Sequence, residues 1–132
     1  MKKRMLIGLA ALAALLLLNS CQKIEYEAYV TIVNIGNLPM NAWVDEDKAE
    51  IAAYDSQTWV IKLESEDESV QLHLEAEPVG GGDYDDITVI LHGDRDIVTW
   101  LAGWDLAQGA KPLKKQSQVI NGPAPSSVTR NK

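Results

Sequence analysis

The sequence has 132 residues, a formal net charge of −7 at pH 7, nineteen acidic against twelve basic side chains, and a single cysteine. That length suits one small domain with tails, and a lone cysteine excludes an internal disulfide, so packing must hold the fold. All nineteen acids fall between Glu25 and Asp105, against three bases there, Lys48, Lys62 and Arg95; a body of net charge −16 repels DNA and RNA and excludes them as its partners.

The chain opens with the cationic Met1-Lys2-Lys3-Arg4, continues with an uncharged and almost wholly apolar run from Met5 to Leu18, and then reads Asn19-Ser20-Cys21-Gln22-Lys23. This is the layout of an export signal. A permanent membrane helix needs about 20 apolar residues, more than this run supplies before polar residues follow it. Leu18-Asn19-Ser20-Cys21 resembles the lipobox of bacterial lipoproteins, in which a branched apolar residue, a variable one and a small one precede the cysteine. The resemblance implies that Leu18 and Ser20 are read by the signal peptidase, that residues 1–20 are removed, and that Cys21 carries a diacylglycerol and an N-acyl chain as a membrane anchor. It also implies sorting to the outer membrane if the source has two membranes, because Gln22 stands where an Asp would favour inner-membrane retention. The alternative is an ordinary secretory signal with a free thiol. Its small-x-small cleavage pattern occurs only inside the apolar run, as at Ala11-Leu12-Ala13.

After a short linker over residues 21–25, period-two runs closed by turn residues predict an all-β domain over 26–108, a small antiparallel β-sandwich of about seven strands. The runs are Tyr26 to Asn34, Met40 to Val44, Ala49 to Tyr54, Thr58 to Glu64, Ser69 to Glu77, Ile87 to His92 and Ile97 to Ala102. In the fifth, Val70, Leu72, Leu74 and Ala76 alternate with Gln71, His73, Glu75 and Glu77, which predicts one buried and one wet face. The last two are more uniformly apolar and β-branched and read as central strands. Trp43, Trp59, Trp100 and Trp104 supply the heavy aromatic mass in a chain without Phe, and at least two of them are expected in the core. Exposed together on one face, they would instead form a stacking platform for a flat ligand.

From Gly109 to Lys132 the composition turns to Lys, Gln, Ser, Pro and Asn with five bases and no acid, which reads as a basic, mostly disordered tail. Leu113 to Ile120 is the one part that reads as a possible edge strand. The Val44-Asp45 turn and the Val89 to Trp100 pattern around Gly93-Asp94 loosely resemble small immunoglobulin-like or PEGA-type modules of bacterial envelopes. That resemblance, over about 75 residues, implies a binding or spacer module and brings no catalytic residues.

Three acidic clusters carry the only metal reading: Asp45-Glu46-Asp47, Glu64 to Glu68, and Asp94 with Asp96, with calcium candidates Asp45, Asp47, Glu66, Glu68, Asp94 and Asp96. Calcium takes six to eight oxygens, and carboxylates on neighbouring turns can supply them. None of the clusters has the twelve-residue calcium-loop pattern, and acidic turns also serve solubility and keep strand edges apart. An up-and-down path puts all three at one end of the domain, beside the start of the first strand, and sends the basic tail off the far end. His73 and His92 have no ligand spacing, the glycines of Gly80 to Asp86 precede no helix and read as a connection, and no nucleophile elbow occurs. The expectation is therefore a non-enzymatic, membrane-anchored binding or accessory module, with an envelope protein, a cell-wall polymer or an anionic surface as partner. A calcium-dependent adhesin is the further alternative.

Overall fold

Alternation of apolar and polar residues decides which strands form and which way they face. The computed structural model describes residues 24–113 and 118–123. Strands β1 (Tyr26–Asn34), β2 (Met40–Val44), β3 (Asp47–Ile51), β4 (Ser56–Leu63), β5 (Val70–Pro78), β6 (Asp85–Leu91) and β7 (Ile97–Ala102) are followed by β8 (Trp104–Asp105), a 3-10 turn (Leu106–Gln108), β9 (Lys111–Pro112) and β10 (Gln118–Asn121). No helix among the described residues is long and apolar enough to cross a membrane.

The fold is an all-β sandwich. One sheet has the order β10-β7-β1-β4, the other β3-β2-β5-β6, and β8 and β9 form a small ribbon. Every pair is antiparallel except β1 with β7. Each strand still reverses the direction of the one before it through β7. The parallel pair arises because β7, an odd-numbered strand, returns beside β1 after four crossings between the sheets. This places β1 in the middle of its sheet, with β4 on one side and β7 on the other.

The inward residues of both sheets meet in one core. Ala28, Val30 and Ile32 of β1, Met40 and Ala42 of β2, Leu74 and Ala76 of β5, Leu91 of β6 and Trp100 and Ala102 of β7 are buried there with Trp104. Burying a Val, Leu, Ile or Met side chain contributes about 1.5–3 kcal/mol, so this layer is the main source of stability.

The turn between β2 and β3 is shorter than the sequence pattern implies. Val44 pairs with Asp47, leaving only Asp45 and Glu46 as the loop, and Asp45 takes a left-handed φ of 52° that Asp tolerates better than most residues. The third strand accordingly begins at Asp47 rather than Ala49 and ends at Ile51 rather than Tyr54.

The C-terminal part departs further from the sequence reading. Gln118–Asn121 adds to the open edge of β7, with Val119 opposite Trp100 and Ile120 opposite Thr99. Val119 reaches the main core, while Ile120 and Leu113 pack on Val33, Ile35 and Leu101 on the outer side of the sheet. The Thr99 hydroxyl donates to the Gly122 carbonyl at 2.6 Å. A few apolar residues among many polar ones are enough here because β7 offers an unsatisfied edge. Residues 114–117 and 124–132 of the segment lie outside the described residues.

This strand also corrects the position of the tail. Since β10 is antiparallel to β7, it carries the chain back, so Asn121 sits opposite Val98, and the segment after it leaves from the same end at which β1 begins.

Candidate functional site

The turns after β2, β4 and β6 do share one end of the sandwich; the last two are bound to each other there, and the first is bound to His73 of β5. The β6–β7 turn lies on the β4–β5 loop: the Asp94 amide donates to the Glu66 carbonyl at 2.8 Å, and a Cβ added to Gly93, which has φ 132°, would come within 2.6 Å of that same carbonyl oxygen. Only glycine permits that approach.

The acidic side chains work as local acceptors. Asp45 Oδ1 takes the His73 amide at 2.9 Å, Glu68 Oε1 the Glu64 amide at 2.7 Å, and Asp94 Oδ1 the Glu27 amide at 2.9 Å. Asp96 takes two, from His92 at 2.8 Å and Ile97 at 3.0 Å. Each carboxylate thus satisfies a backbone N–H where a strand or its ladder ends and leaves that group without a partner. Asp47 and Glu66 are exposed at the same end. The six calcium candidates therefore share one end, but four of them spend oxygens on amides. Among the described residues no group of three or more His, Cys, Asp or Glu is placed to hold an ion.

Arg95, in the β6–β7 turn with its Nε 3.8 Å from Asp94, and Lys62, at the end of β4, belong to this end. Lys62 has the closer partners. Its ammonium lies 2.6 Å from Glu27 and 3.5 Å from Glu25, and the hydrogen bond to Glu27 above all holds its pKa higher than the usual lysine value. His73, on the outer face of β5, contacts Glu75 at 2.9 Å and Asp86 at 3.4 Å, while His92 is exposed at the end of β6.

The tryptophans divide between roles. Trp100 and Trp104 are fully buried, Trp59 packs against the core from β4, and Trp43 lies half-buried on the outer face of β2, with the Lys48 ammonium 5.5 Å from its ring centre. They share no exposed face, so no stacking platform forms. The Trp104 indole N–H donates to the Asp83 carbonyl at 2.8 Å, which fixes the glycine-rich stretch, and a strand, not a helix, follows it.

At the opposite end a buried amide ties the crossings together, a feature that the sequence reading missed. Asn34 is fully buried at the end of β1; its Nδ2 donates to the carbonyls of Leu38, Ile51 and Ala52 at 2.7, 3.2 and 3.2 Å, and its Oδ1 accepts the Gly36 amide at 2.9 Å. Gly36 and Gly103 pass backbone to backbone beside it, with no room for a side chain on either. The signal available was an Asn, with Gly two residues on, closing an otherwise apolar run.

Two clefts open where the sheets part at their edges. One, of about 290 Å³, lies between β6 and β10 and is lined by Ile87, Val89, Val119 and Asn121 among others. The other, of about 630 Å³, lies at the acidic end between the edge of β4 and the β2–β3 turn. Val44, Val60, Ile61 and Leu72 give it apolar walls, and Asp45, Glu46, Asp47 and Lys62 its polar rim. Cys21, Leu18 and Ser20 lie outside the described residues. No protein-family model and no curated protein matches the sequence.

Proposed function

We propose that the protein is a bacterial envelope lipoprotein in which acyl chains on Cys21 hold a non-enzymatic β-sandwich at a membrane surface as a binding or accessory module. The observation that carries this reading is the position of the only cysteine, directly after a cationic start, an apolar run and Leu18-Asn19-Ser20. Two or three acyl chains on one residue meet the requirement of two signals for stable anchoring. Gln22 favours the outer membrane where there are two.

The fold fits a short tether. β1 begins at Tyr26, five residues past Cys21, a reach of about 17 Å at most. The acidic end and its cleft therefore stay near the lipid surface, and the Asn34 end points away. A Cys21→Ala variant should appear in the soluble envelope fraction and lose acyl-chain labelling; a variant that stays in the membrane fraction with its label sinks the proposal.

A second role, for the basic terminus, gains from the path of β10. The chain after Pro123 starts at the tethered end, so Arg130 and Lys132 would meet an anionic lipid or cell-wall polymer close to the anchor. Deleting residues 124–132 leaves β10 in place and tests this role: weaker retention on cell-wall material or anionic vesicles with an unchanged melting temperature supports it, and unchanged retention removes it.

A further inference from the structure

The geometry points to the cleft beside β4 as the site where an extended, cationic polypeptide segment adds to the sheet as a strand. The inference gives the binding role above its partner and rests on that role, although its test does not use the lipid anchor.

β4 is the longest edge strand among the described residues. It has eight residues, against five in β3, seven in β6 and four in β10, and it contains no proline. Its register against β1 is unbroken from Ser56 to Leu63. Natural edges are usually kept short, bulged, covered or guarded by a free lysine. The one lysine of β4, Lys62, is engaged with Glu25 and Glu27 on the outer face.

The direction of its free backbone groups follows from the pairing. Asn34 donates its amide to Asp55 at the β4 side and Tyr29 donates to Asp96 at the β7 side, so even-numbered residues of β1 bond towards β4. By the register, Gln57, Trp59 and Ile61 answer them, and the N–H and C=O groups of Thr58, Val60 and Lys62 face the open side. Val60 is also 51% exposed there, an unusual amount for a large aliphatic residue in mid-strand.

Charge selects the occupant. Across the cleft from these backbone groups stand Asp45, Glu46 and Asp47, all exposed, on a body that carries nineteen acids and three bases. A strand with alternating Lys or Arg and aliphatic residues would place its backbone on Thr58, Val60 and Lys62, its aliphatic side chains beside Val60 on the outer face, and its cations, on the alternate face, at the turn. Strand addition of this kind takes affinity from main-chain hydrogen bonds and specificity from alternate side chains.

The test uses the Cys21→Ala chain and a labelled Lys-Val-Lys-Val-Lys-Val peptide, with a Glu-Val peptide of equal length as control. The expected result is binding of the Lys-Val peptide alone, with amide exchange slowed at Thr58, Val60 and Lys62. Val60→Pro removes one outward N–H that β1 does not use, and the paired Glu46→Lys and Asp47→Lys change leaves the Asp45 bond to His73 intact. Each should weaken binding about tenfold or more at low salt. Slowed exchange confined to those three amides shows the site even if one variant misfolds. Three results overturn the proposal: binding that both folded variants retain, which is charge attraction without a site; binding only after residues 124–132 are deleted, which makes the chain's own terminus the occupant; and a β4-mediated dimer that Val60→Pro dissociates, which makes it a second copy.

Discussion

Replacing Asn34 by Ala removes the polar group that joins two chain crossings, β1–β2 and β3–β4. The amide shares two protons among three carbonyls and accepts one N–H, so three hydrogen bonds are lost in a fully buried position. At about 1 kcal/mol for each bond, and up to about 3 where a buried partner stays unpaired, the loss is at least about 3 kcal/mol. In a domain of this size 1 kcal/mol moves Tm by about 4–8 °C, so Tm should fall by about 12–24 °C. Thermal unfolding of the Cys21→Ala chain, followed by circular dichroism, with and without the Asn34 change, measures it. Asn34→Asp adds a check on sign. The introduced carboxyl is buried among three carbonyl oxygens, so its folded-state pKa is raised above the unfolded value of about 3.9. Protonation then favours the folded state: the variant's deficit should be largest at neutral pH and shrink as pH falls through the raised folded pKa. A Tm loss below about 5 °C for Asn34→Ala, or a deficit in Asn34→Asp that grows on acidification, would refute the reasoning.

Gly36→Ala should cost more than about 3 kcal/mol or prevent folding, because its Cβ would come within 2.3 Å of the Trp104 carbonyl oxygen, whereas Gly80→Ala, with no atom within 4 Å, should stay within about 0.5 kcal/mol of the parent in urea unfolding. Truncation before Gln118 exposes Val33, Leu101 and Thr99 and should cost about 3 kcal/mol on the same assay. Because Asp45, Glu68, Asp94 and Asp96 already bind backbone amides, millimolar calcium should shift Tm by less than about 1 °C; a rise of several degrees, or calorimetric heat at millimolar calcium, would support the metal reading instead.

Several strands were legible in the sequence, although β6, which reads as central, lies at a sheet edge. β1, β2 and β7 have the limits that their apolar runs imply, because those runs end where a turn residue must begin. The gathering of the acidic turns at one end also followed from simple reversal of direction. What could not be read was set by contacts distant in sequence. β3 starts early because a two-residue turn fits Asp45, and β10 forms only because β7 presents an edge to Val119 and Ile120. The role of Asn34 depends on carbonyls up to eighteen residues away, which no local pattern encodes. The acids illustrate the same limit: composition shows charge, and only the fold shows that several of them cap strand ends.

Mass spectrometry of the native protein, extracted with detergent, tests the anchor directly. The predicted product begins at Cys21, lacks residues 1–20 and carries the mass of two or three acyl chains on that residue. A chain that still begins at Met1, or one that begins near Cys21 with an unmodified thiol, would contradict the proposed attachment to a membrane and the placement of the acidic cleft beside it.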